Sequence, residues 1–78
     1  MDNEQQLAHE LAQAGAAIET SIETLRQQGL GPMPIASSLL GAALGVLAQV
    51  MDDSAILNVL HSAATGVASG ELRRSLAP

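Results

Sequence analysis

Phenylalanine, tyrosine, tryptophan, cysteine and lysine are all missing from this sequence of 78 residues. Each absence removes a class of structure or function. Without aromatic rings there are no stacking platforms of the kind single-strand nucleic-acid binders use, and any core must be filled by Leu, Ile, Val and Met set among many alanines. Without cysteine there is no disulfide. No Cys/His grouping has structural-metal spacing, so no metal and no cofactor is expected, and the two usual staples of a small domain are missing. Basic residues are equally scarce: Arg26, Arg73 and Arg74 stand against eight acidic side chains, for a net charge of −5. Nucleic-acid affinity comes largely from Lys and Arg neutralising phosphates, so direct DNA or RNA binding is not expected. Acidic balance favours solubility and leaves room for a basic protein partner.

The opening MDNEQQ is acidic and polar, the reverse of a secretory signal, and assigns the chain by default to the cytoplasm. The lack of lysine beside abundant Ala, Gly and Leu points to a bacterial coding sequence rich in G and C.

What is present reads as three helices. Asn3 is placed to cap the first, with Gln6 three residues on to complete a capping box. Leu7, Leu11, Ala14, Ile18, Ile22 and Leu25 then form an apolar stripe with an eleven-residue repeat, which keeps one face of a nearly straight helix toward a partner. Gln5, His9, Gln13, Thr20, Glu23 and Gln27 make the solvated face. Gly29 fits a left-handed stop, with Leu30 falling back on Leu25 in a Schellman ending. Pro32 and Pro34 follow; because a residue before proline avoids helical geometry, Met33 is expected to be extended and Pro34 to begin the second helix.

The second helix carries no charge and has large aliphatics on two adjoining faces, as a central, buried helix would. Its remaining strip, Ser38, Gly41, Gly45 and Gln49, is small or polar. Two helical glycines cost about 1 kcal/mol each against alanine, so close approach by another helix is expected at Gly41 and Gly45. Asp52, Asp53 and Ser54 supply caps and favourable charge for the third helix. That helix should bury Ile56, Leu57, Leu60, Ala63, Ala64 and Val67, and Gly70 should stop it.

The expected fold is therefore all-α: a small three-helix bundle with helices at about 3–28, 34–51 and 53–69, completed by oligomerisation because a lone core of this size is marginal. Residues 1–78 form one helical domain, with 71–78 either a flexible tail or, through Leu72 and Leu76, turns docked on a neighbour.

Patterns that resemble catalytic or membrane signatures fall short of them. The uncharged stretch from Gln27 to Met51 contains GAALG, a small-xxx-small motif of membrane helix pairs, yet the prolines leave only about 18 helical residues at 1.5 Å each, the short end for a bilayer. HELAQ at His9 begins like a zinc-protease helix but has Gln13 where the second histidine belongs. His61 and Ser62 are neighbours on a helix and diverge by about 100°, so they cannot face each other as base and nucleophile. GLGP and GAALG lack the following Lys-Ser or Lys-Thr of a phosphate loop. No catalytic residue is assigned, and an enzyme is not expected.

The third helix presents Asn58, His61, Ser62, Thr65 and Ser69 on one uncharged face, where a solvated helix would carry Lys, Glu or Arg. Interface centres are depleted in charge. The expected protein interface therefore comprises Gly41, Gly45, Asn58, His61, Ser62, Thr65, Ser69, Leu72 and Leu76. The function expected is a non-enzymatic interaction or oligomerisation module, a homodimer first of all. The alternatives are a small acidic inhibitor or adaptor for a different, basic protein, and a small membrane-associated protein using the second helix.

Overall fold

The computed structural model describes residues 2–76, and those residues form four α-helices with no strand: α1 (Asp2–Gln27), α2 (Pro32–Ala48), α3 (Asp53–Ala68) and the short α4 (Glu71–Leu76). The protein is all-α, with three long helices where the periodicity puts them. Residues 77 and 78, part of the expected tail, lie outside the described residues.

The ends of the helices follow from local chemistry. At the end of α1, Gly29 sits at φ +90, the N–H of Leu30 donates to the Leu25 carbonyl at 3.2 Å, and the N–H of Gly29 donates to the Arg26 carbonyl at 2.9 Å. This is the full Schellman pair, and it satisfies two of the carbonyls that a helix end leaves without partners. The start of α1 differs from expectation. The helix already includes Asp2, so Asn3 lies within it, and the Gln6 amide does not reach back but donates forward to Glu10 Oε1 at 3.3 Å.

α2 begins at Pro32, two residues before the expected Pro34. The first hydrogen bond of the helix runs from the Ile35 N–H to the Gly31 carbonyl at 3.3 Å, which makes Gly31 the cap. Both prolines then occupy the first turn, where a missing N–H costs no intrahelical bond, and Met33 is helical and not extended. At the other end α2 stops at Ala48 and not at Met51. Gln49 and Val50 donate three residues back, to Val46 and Leu47 at 3.1 and 3.0 Å, and this tightening closes the helix. Asp52 is extended (φ −82, ψ 173) and its carboxylate accepts the Ala55 N–H at 3.0 Å, so it is the N-cap of α3. α3 ends one residue before the expected position, with Ser69 as C-cap and Gly70 at φ +82.

The chain divides into two compact units, residues 1–39 and 40–78. In the first, Ile35 is only 6% exposed, and Ile22, Leu25 and Leu39 are half-buried on either side of the turn that joins α1 to α2. In the second, α4 packs against α3, and the Arg74 guanidinium donates to the Ser69 carbonyl at 3.2 Å across the turn between them. Leu44, Leu47, Met51 and Ile56 are half-buried there.

Candidate functional site

Ile35 is the one buried side chain among the described residues, and it lies on α2, as expected for the most apolar helix. Half-burial is found at Ile22, Leu25, Leu39, Leu44, Leu47, Met51 and Ile56, and other positions of the expected core are open. Leu40 and Val46 on α2 are exposed, and so are Leu57 (64%), Ala63, Ala64 and Val67 (61%) on α3, where the periodicity predicted a buried stripe. The reason is physical: periodicity fixes which residues share a face, whereas coverage of that face depends on what packs against it.

The nine expected interface residues are all exposed. On α2 an added Cβ at Gly41 or Gly45 would meet nothing within 4 Å, so neither α3 nor α4, the other helices of the second unit, makes the close approach expected there. On α3, Asn58, His61, Ser62, Thr65 and Ser69 follow one another at helical spacing on one side. Ser69 also has a structural role. Its N–H donates to the Thr65 carbonyl at 2.9 Å, its hydroxyl to the Gly66 carbonyl at 3.2 Å, and its own carbonyl takes the Arg74 bond. Leu76 is 76% exposed at the end of α4.

Leu72 belongs to a cleft of about 340 Å³ formed where α4 meets α3, lined by Ala63, Gly66, Val67, Glu71, Leu72 and Ser75. A second depression of about 390 Å³ lies in the same unit, lined by Leu44, Asp53, Ile56, Leu57 and Leu60. Both have apolar floors with one carboxylate at the edge. Neither was legible in the sequence, since they require knowing that Leu57 and Val67 stay open.

The chemistry at hand is limited. No three His, Cys, Asp or Glu side chains among the described residues gather closely enough to hold a metal ion. The carboxylates of α1 are spread along its exposed surface, and the closest ion pair there is Glu23 with Arg26 at 3.7 Å, one turn apart. Such exposed pairs contribute at most about 1 kcal/mol. No helix of the described residues is long and apolar enough to cross a membrane. Taken together, the surface offers apolar helix faces and shallow apolar clefts, the features by which helices recognise other helices. The chain matches no protein-family model, no curated protein and no solved structure.

Proposed function

We propose that this chain is a non-enzymatic helical interaction module that works by assembling with further copies of itself, a dimer first of all. The observation that carries this reading is the exposure of large aliphatics on every helix: Leu7, Leu11 and Ile18 on α1, Leu40 and Val46 on α2, Leu57 and Val67 on α3, and Leu72 and Leu76 on α4. Scattered exposed leucines are ordinary on a protein surface, but Leu7, Leu11 and Ile18 recur at helical spacing on one face of α1, and Leu72 and Leu76 on one face of α4. Covering such faces is the main favourable term in association, at about 25 cal/mol per Å² of apolar surface. The uncharged polar face of α3 and the small strip at Gly41 and Gly45 are the parts of the contact where charge and bulk are absent. By this reading the chain acts in the cytoplasm.

A second reading has its own observation. Glu4, Glu10, Glu19 and Glu23 lie exposed along α1, whose sequence has Arg26 as its one Lys or Arg, a surface suited to docking a basic protein. The two are separated by paired variants. Ser62→Glu with Thr65→Glu places charge on the α3 face, and Glu10→Gln with Glu23→Gln removes it from α1. If α3 lies in an interface, the first pair buries unpaired charge and breaks the oligomer while the second leaves its mass unchanged. A first pair that assembles like the unsubstituted protein, beside a second that loses capture of a basic partner, transfers the function to α1.

A further inference from the structure

We infer that α4 is a strap that docks on α3 and lifts from it as one piece about Gly70, so that the cleft between the two helices forms on docking and is lost on lifting. Both helices belong to the same compact unit, and the strap is independent of what the chain assembles with. The hydrogen bonds at the junction are asymmetric. α3 closes its own end: the Ser69 N–H donates to the Thr65 carbonyl at 2.9 Å, the Ser69 hydroxyl to the Gly66 carbonyl at 3.2 Å, and the Gly70 N–H to the Val67 carbonyl at 3.1 Å. None of these bonds uses a residue of α4. By contrast α4 leans on what precedes it, with the Arg74 guanidinium donating to the Ser69 carbonyl at 3.2 Å and the Arg74 N–H to the Gly70 carbonyl at 3.1 Å. Lifting α4 therefore leaves the end of α3 intact.

Length and packing both favour lifting. Isolated helices shorter than about 12 residues are marginal in water, and α4 has 6, so its helical form depends on contact with α3. That contact is thin. The cleft of about 340 Å³ stays open between the two helices, which leaves Val67 on one and Leu72 on the other incompletely packed there. Stability within a fold is uneven, and segments with few buried apolar contacts and exposed hydrogen bonds open first, as units. Gly70 supplies the pivot. Its φ of +82 breaks the helix, and a residue without a side chain moves between positive and negative φ at little steric cost.

Helix population along the full chain, read residue by residue from backbone Cα chemical shifts, tests the strap with Leu72→Ala and Arg74→Met. Alanine raises intrinsic helix propensity over leucine, and methionine nearly matches arginine, so a helix that stood alone would gain from the first change. A docked strap should lose. Both variants are expected to show an equal fall in helix population across residues 71–76, with residues 55–66 unchanged and the same result at every protein concentration. For Arg74→Met, the ratio of lifted to docked chain should rise roughly fivefold, as loss of one hydrogen bond implies. Unchanged or greater helix after Leu72→Ala would show that α4 does not rest on α3 and would overturn the inference. So would a loss graded toward residue 76, which is fraying of a helix end, or an equal loss in α3, which makes the two helices one cooperative unit. A loss that varies with protein concentration would assign the Leu72 contact to a second chain and rule out the strap.

Discussion

At the scale of single residues the chain is governed by its caps. Gly29 and Gly70 take positive φ, and at those two places a side chain is strained whatever space surrounds it. Gly29→Ala should therefore destabilise the protein by about 1 to 2 kcal/mol, read as a lower midpoint in urea. Asp52→Ala, which removes the acceptor for the Ala55 N–H, should cost about 1 kcal/mol. Equal midpoints for Gly29→Ala and the unsubstituted chain would mean that the turn tolerates another geometry. These features were legible in the sequence, because the demand for a left-handed residue or a side-chain acceptor is local: Gly29 with Leu30 and Leu25, and Asp52 ahead of α3, are where the residue types place them. Pro32 misled for an equally local reason. The preference of Met33 for extended backbone is weaker than the gain from letting two prolines share a first turn whose N–H groups need no partner.

At the scale of the element, helix identity was readable and helix coverage was not. The stripes of α1 and α3 have the expected spacing, and α4 occupies a stretch whose Leu72 and Leu76 already stood four apart. Whether Leu57 and Val67 are covered depends on tertiary and intermolecular packing, about which a periodic pattern carries no information. The strip at Gly41 and Gly45 shows the consequence. Nothing lies within 4 Å of an added Cβ at either site, so in an isolated chain alanine at Gly45 would only gain, by about 1 kcal/mol of helix propensity. If the strip is instead a crossing point between copies, Gly45→Leu should destabilise the assembly by more than about 2 kcal/mol or change its size. Chemical denaturation with light scattering on the same samples distinguishes the two. A neutral or stabilised Gly45→Leu would place the strip in water and remove both glycines from the interface.

At the scale of the whole molecule the acidic charge is gathered on α1, with Asp52, Asp53 and Glu71 farther on, and α2 has none. That separation gives the chain an acidic helix for solvent or for a basic partner, and apolar faces that gain from contact. With no disulfide and one buried side chain among the described residues, stability should be tied to association, because anything that binds the folded state and not the unfolded one raises apparent stability by mass action. The most direct test is the mass by light scattering, taken with the thermal melt over a wide range of protein concentration. Self-assembly predicts a mass that is a multiple of 7.9 kDa and a midpoint that climbs as concentration rises. A mass of one chain throughout, with a midpoint that does not move, would show that the apolar faces close within a single chain and would contradict the central claim.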